Sequence, residues 1–174
     1  MKDFFDRLLK IIWMDSSVFD ELADKPDLIS QSLFVVLLYS AASGIGAVGK
    51  IGITGILIGS IGSLINWSIW VYLIYSAARL WGGSIRPTST GEFMRAIGFA
   101  SAPGIIRILG ISGDIRVFSN IAATIWMTAA MACAVKKIFG YRDLIRPVIL
   151  CAGGWFLTIG AAYILSFAFR SAGF

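Results

Sequence analysis

Five apolar runs, each near the roughly 20 residues needed to cross a hydrocarbon layer about 30 Å thick, follow one another along this chain with only short polar connectors between them. Such a pattern leaves few folds open. In lipid every backbone N–H and C=O must find its partner inside the segment, so an apolar chain of this kind folds as a bundle of helices. The runs extend from about Leu28 to Val48, Gly52 to Ala78, Gly91 to Ile111, Ile115 to Val135 and Pro147 to Phe169. Composition agrees: 57% of the 174 residues are apolar and 14% charged, against about 45–50% and about 25% in an average soluble domain. The expected architecture is all-α, an integral membrane bundle of five transmembrane helices over residues 28–174, preceded by a polar segment, residues 1–27.

Charge sets the expected orientation. Eleven of the fifteen Lys and Arg residues fall on one side of these spans: Lys2, Arg7, Lys10, Lys25, Arg79, Arg86, Arg95, Lys136, Lys137, Arg142 and Arg146. Lys50, Arg107, Arg116 and Arg170 fall on the other. Basic connectors stay in the cytoplasm, so the amino terminus is expected there and the carboxyl terminus outside. The net charge of +5 is scattered between apolar spans and forms no stripe, which argues against a nucleic-acid partner. No cleavable signal peptide is expected, because Asp3 and Asp6 interrupt the start.

Within the polar segment, Phe4, Phe5, Leu8, Leu9 and Ile12 share one helical face, with Asp3, Asp6, Arg7 and Lys10 elsewhere. A second short helix is expected after Ser17, which stands three residues before Asp20 like a capping box, with Val18, Phe19 and Leu22 on one side. The pair either lies in the membrane interface or packs on the cytoplasmic ends of the spans. Seven acidic against four basic residues in this segment give anionic lipid no reason to attract it.

Two spans stand out. The second carries Gly52, Gly55, Gly59 and Gly62 at steps of three and four, continued by Ser63 and Asn66, and the fifth carries Gly153 and Gly160. Small residues let helix backbones approach in lipid, where packing and interhelical hydrogen bonds drive association. A packing face is the leading reading, and a polar path past the Asn66 amide the other. In the third span, the twelve steps from Arg95 to Arg107 cover about 18 Å as an α-helix, too short for both guanidinium groups to sit at opposite interfaces without help. Either both snorkel from a helix kinked at Pro103, or the helix breaks at Ala102-Pro103-Gly104 and lines a polar cavity where Arg107 holds an anionic group. Asn66, Arg95, Pro103 and Arg107 are therefore the candidate ligand or lipid contacts.

Trp13 and Trp81 are placed as interfacial anchors, and Trp67, Trp70, Trp126 and Trp155 as packing bulk. Cys133 and Cys151 lie in apolar runs and are read as small hydrophobes, free of each other. The chain has no histidine, and its acids beyond residue 27 are Glu92, Asp114 and Asp143, all in or beside connectors. That weighs against a proton relay, a carboxylate-lined cation path and a histidine-dependent lipid phosphatase. No metal, no cofactor and no catalytic residue is expected, and the protein is read as not an enzyme.

The stretch Trp13-Met14-Asp15-Ser16-Ser17-Val18-Phe19-Asp20-Glu21-Leu22 followed by five spans, with Trp81-Gly82-Gly83 leading to Glu92-Phe93-Met94-Arg95-Ala96-Ile97-Gly98-Phe99-Ala100-Ser101-Ala102-Pro103, resembles the Yip family of Ypt-interacting membrane proteins, in its prokaryotic branch. The resemblance implies five helices, a cytoplasmic amino terminus, self-association and a part in membrane organisation or trafficking. Ser16 stands where members commonly carry proline, and Asp24-Lys25-Pro26-Asp27 only echoes the eukaryotic acidic Gly-Pro signature. The Rab-type GTPase partner is therefore not carried over. The expected function is a scaffold or adaptor whose partners are membrane lipids and other membrane proteins or further copies of itself. The alternative is a small transporter or channel for an anionic or lipid-like solute through the broken third span.

Overall fold

The structure, a computed structural model, describes residues 2–48, 52–81 and 88–171, with side chains as far as Gly160. Lys50, Gly82, Gly83 and Arg86 lie outside the described residues. The described chain is helical, with no strand. Seven α-helices are given by the described residues, in order: α1 (Lys2–Ile12), α2 (Ser17–Asp24), α3 (Ile29–Gly46), α4 (Thr54–Leu80), α5 (Thr90–Ala100), α6 (Arg116–Phe139) and α7 (Ile145–Ser171). A 3-10 turn, Pro26–Leu28, leads into α3, and 3-10 stretches Ala102–Ile111 and Gly113–Ile115 join α5 to α6.

Four of the resulting segments are long and apolar enough to cross a membrane: Pro26–Gly46, Thr54–Leu80, Thr90–Ile111 and Gly113–Phe139. They match the first four expected spans to within a few residues. The second begins later than expected, because Gly52 takes a left-handed φ of +66° and stands outside α4. The helix α7 covers the fifth expected span, and its described apolar part is Ile145–Gly160.

At the centre stands α3. Gly44 and Gly46, two residues apart and so on opposite sides of the helix, each bring it against a neighbouring backbone. A Cβ on Gly44 would strike Ile56 O and Ser60 of α4, and one on Gly46 would strike the Arg107 carbonyl. Hence α3 lies between α4 and the 3-10 stretch. Further down, Ser32 Oγ donates to Met94 O and Arg95 O at 3.2 and 3.1 Å, with Gly98 of α5 leaving room for it. The helix α7 closes the ring against α6 and α4, where Gly154 meets Trp70 and Ile74 and the Trp70 and Trp155 rings lie 5.8 Å apart.

The third span changes its winding where the break is expected, at Ala102-Pro103-Gly104, but does not part into two separate half-helices. The α-helix ends at Ala100 and the chain continues without a gap as 3-10 helix, Gly104 N–H donating to Ser101 O at 2.9 Å. Pro103 sits in the first turn of that stretch, where its missing N–H costs nothing. A run of ten 3-10 residues is long for this geometry. It is closely packed: a Cβ on Gly104 would strike the Tyr39 ring and the Met127 sulfur, and one on Gly110 would stand 3.2 Å from Gly46 O. At about 2.0 Å per residue in place of about 1.5 Å, the tighter winding lengthens the span from about 32 to about 36 Å.

Candidate functional site

The two amino-terminal helices dock on one end of the bundle, the end that also carries Lys136, Lys137, Arg142 and Arg146. Ser16 stands at the N-cap of α2, where its side chain makes no capping bond; instead Asp15 Oδ1 accepts from Ser17 N–H at 2.9 Å. The expected capping box from Ser17 is thus replaced by the Asp15 carboxylate, two residues earlier. That bond holds the Asp15 carboxyl below the usual range. On its inner side α2 buries Val18, Phe19 and Leu22. Its carboxyl end is closed from outside the helix: Arg95 Nε donates to Leu22 O at 2.7 Å and Arg95 Nη2 to Ala23 O at 2.8 Å. Arg95 is only 7% exposed. Of the candidate ligand contacts, this one is occupied by the protein's own main chain, a cation set at the negative end of a helix.

The helix α1 is tied down by Arg7, which donates through Nε and Nη2 to Glu21 Oε1 at 3.2 and 2.8 Å and through Nη1 to Gln31 Oε1 at 3.1 Å. Lys25 Nζ reaches the same Glu21 oxygen at 2.9 Å. These donors, Arg7 first, hold the Glu21 carboxyl down at about 2, and Glu21 in turn raises the Arg7 guanidinium above its ordinary value. Lys137 of α6 pairs with Asp20 at 3.0 Å. Two of the three acids of α2, Asp20 and Glu21, are therefore paired within the molecule, and Asp24 is exposed and makes no ion pair among the described residues.

Around its circumference α1 falls into three sectors. Arg7 and Ile11 are buried against the bundle, with Phe4 and Leu8 partly so. Phe5, Leu9 and Trp13, one turn apart, are 60%, 52% and 81% exposed. Lys2, Asp3, Asp6 and Lys10 occupy the remaining exposed side. Beside it, an apolar groove of about 350 Å³ runs between α1 and the 3-10 stretch, lined by Leu8, Ile12, Pro103, Ile106, Leu109 and Trp126 among others. Trp126 Nε1 donates across it to Ile12 O at 3.1 Å.

Arg107 folds back into the bundle. Its Nη2 donates to Thr124 Oγ1 at 2.9 Å, its Nη1 to Tyr39 OH at 3.4 Å, and its guanidinium carbon stands 5.4 Å from the centre of the Tyr39 ring. Nε is buried without a partner, and no carboxylate pairs with this charge among the described residues. Asn66 is half-buried near the middle of α4, on the far side of α3, and makes no hydrogen bond among the described residues. Pro103 lines the α1 groove and does not face Asn66. The candidate contacts Asn66, Arg95, Pro103 and Arg107 are thus spread over different packing surfaces and do not converge.

The small-residue faces are partly used. A Cβ on Gly59 would lie 2.9 Å from Gly44 Cα, Ser63 Oγ donates to Ser40 O at 3.4 Å, and Gly55 is buried. Gly52, Gly62, Gly153 and Gly160 have nothing among the described residues within 4 Å of where a Cβ would stand. Contact is made instead by Gly44, Gly46, Gly98, Gly104 and Gly154. Spacing alone misses these because each is chosen by what the facing helix brings to it. Trp67 and Trp70 are buried, Trp67 Nε1 donating to Ser101 Oγ at 2.9 Å, and Trp13 and Trp81 are exposed. Both cysteines are free thiols.

Nothing among protein-family models, curated proteins or solved structures matches this chain. The geometry is therefore the ground for a functional reading. Among the described residues no group of three or more His, Cys, Asp or Glu stands close enough to hold a metal ion.

A second cavity escaped the sequence reading. About 480 Å³ in volume, it opens at the basic end between the α1–α2 turn and the last turns of α6, lined by Met14, Ser16, Cys133, Lys136, Lys137, Gly140, Tyr141 and Leu144. Its sequence signal is the pair Lys136-Lys137 just before the helix-ending Gly140, whose φ is +70°. What could not be read is that Met14 and Ser16, more than a hundred residues away, form the opposite wall.

Proposed function

We propose that this chain is a non-catalytic, five-span membrane protein of the Yip type that acts as a scaffold in membrane organisation, with its amino-terminal helices as the contact platform for lipids and membrane partners. The observation that carries the reading is the three-sector surface of α1. A helix with a protein face, an apolar face made by Phe5, Leu9 and Trp13, and a polar face made by Lys2, Asp3, Asp6 and Lys10 suits a position in the membrane plane, where each sector meets its own solvent. The docked α2 and the Arg7–Glu21 pair fix α1 to the bundle and so fix the angle at which that face is offered.

The expected orientation adds to this: the basic end lies in the cytoplasm, α7 forms the fifth span, and the carboxyl terminus lies outside a prokaryotic inner membrane. Self-association through the spans belongs to the same reading, as does the likeness of the Val18-Phe19 and Glu92–Pro103 segments to the Yip family.

Two measurements test the proposal. Reporter fusions after Gly140 and at the carboxyl end should report opposite compartments, and the same compartment for both refutes five spans. Cross-linking in native membranes should give a set of neighbouring proteins that shrinks in the Phe5→Glu/Leu9→Glu variant while the variant still inserts. An unchanged set refutes the platform.

A further inference from the structure

Most membrane-level cations of this protein are already engaged. Arg95 is held by Leu22 O and Ala23 O, Arg107 by Tyr39 and Thr124, Arg7 by Glu21 and Gln31, and Arg79 lies 5.6 Å from the centre of the Tyr75 ring. The basic end departs from this pattern. Lys136 lines the 480 Å³ cavity and makes no ion pair among the described residues; Lys137, beside it, has Asp20 at 3.0 Å and remains 41% exposed at its side chain. Arg142 and Arg146 follow on the connector and the first turn of α7, also without an ion pair among the described residues.

The lysines are not needed to finish α6. Lys136 O already accepts from Gly140 N–H, through the left-handed cap, and from Tyr141 N–H at 3.0 Å. Among the described residues no carboxylate lines the cavity, and Asp20 reaches Lys137 from outside the lining. The nearby acids Asp15 and Asp143 accept from the main-chain N–H groups of Ser17 and Arg146 at 2.9 and 3.1 Å. Tyr141 spends its hydroxyl on Ala78 O at 3.1 Å. What is left is a pocket with two ammonium groups and the Ser16 hydroxyl at its polar wall, and Met14, Cys133 and Leu144 at its apolar one.

We propose that this cavity is a binding site for the phosphate headgroup of an anionic phospholipid, the phosphodiester lying against Lys136 and Lys137 and the glycerol and first acyl carbons against Met14, Cys133 and Leu144. Charge complementarity selects the occupant: an oxyanion is drawn by Lys136, which has no ion pair among the described residues, beside Lys137, which Asp20 pairs from one side and leaves 41% exposed, and the apolar wall continues into the level of α6 that lies in the membrane. Basic pockets at the cytoplasmic ends of spanning helices hold anionic headgroups in this way. The site also gives the amino-terminal turn a purpose, since a lipid held there bridges the α1–α2 turn to α6. It rests on the membrane reading of α6, whose own test is the fusion after Gly140.

The experiment uses the full chain purified in a zwitterionic detergent, with native mass spectrometry to count bound phosphatidylglycerol and phosphatidylcholine supplied equally, and inorganic phosphate as the soluble competitor. Wild type should retain phosphatidylglycerol at least tenfold over phosphatidylcholine. Lys136→Gln should lower that preference about fivefold and Lys136→Gln/Lys137→Gln further, at about one lysine's worth of surface attraction each. Asp20→Asn, which frees Lys137 without removing a cation, should raise it. Arg116→Gln at the opposite end serves as control and should leave it unchanged. Equal binding of the two lipids by wild type, a preference that survives the double substitution in folded protein, or displacement of the lipid by millimolar phosphate would each overturn the proposal.

Discussion

Replacing Arg95 by methionine should release α2 from the bundle while leaving the spans folded. Methionine roughly keeps the volume and the apolar stem but removes the bonds at 2.7 and 2.8 Å to Leu22 O and Ala23 O. Bonds to a charged donor contribute about 1.5–3 kcal/mol each, and a cation at a helix carboxyl end about 0.3–1 kcal/mol. Against that stand the cost of keeping a guanidinium only 7% exposed and the water that replaces it on two carbonyls near the surface. The net loss is about 3 kcal/mol, which multiplies the open population of α2 by about 150. Hydrogen exchange of the purified protein reads this directly. Amides of Ser17–Leu28 should exchange about two orders of magnitude faster, with α1 following because Arg7 loses a fixed Glu21, while the α3 and α6 amides keep their rates. Arg95→Lys, which retains the charge but cannot reach both carbonyls in the same fork, should give an intermediate increase. Unchanged exchange in α2, or an equal rise in every helix, would refute the view that Arg95 is a local clamp.

Three further outcomes follow from the same contacts. Gly44→Ala sets a methyl group against Ile56 O and Ser60, where backbone must move, and should destabilise by about 1–3 kcal/mol. Gly62→Ala and Gly153→Ala, with nothing within 4 Å, should be neutral or slightly stabilising in thermal unfolding, and equal losses at all three sites would disprove the packing assignment. The Glu21 carboxyl is held at about 2, below its unfolded value, so the docking it supports is complete above about pH 4.5 and is lost as pH falls toward 2. Amide shifts of α2 followed by NMR should titrate in that window in wild type and stay flat in Glu21→Gln. Finally, Arg107→Met removes a charge that has no carboxylate partner among the described residues, together with its bonds to Tyr39 and Thr124. It should leave thermal stability within about 1 kcal/mol or raise it, since a buried ion is often replaced by an apolar side chain without loss. A loss above about 3 kcal/mol would show that the guanidinium holds α3 to α6.

The amino-acid sequence by itself determined that this chain is helical, where its first four apolar helices run, and that Val18, Phe19 and Leu22 share a buried face. Those properties follow from local periodicity and from the requirement that backbone groups in an apolar environment be satisfied within their own helix. The tertiary structure decided the rest. Which glycines carry packing depends on the facing helix, so Gly44, Gly98 and Gly154 serve where Gly62 and Gly153 do not. The third span winds as 3-10 helix with Gly104 where Tyr39 and Met127 leave no room for a Cβ, a fit that no residue within the span announces. Arg95 and Arg107 look alike in the linear chain, yet one closes the end of α2 and the other stands over a tyrosine ring. A cation's role is set by which oxygens reach it, and those oxygens come from segments many residues away. Helices are written in local order; sites are written in the distances between them.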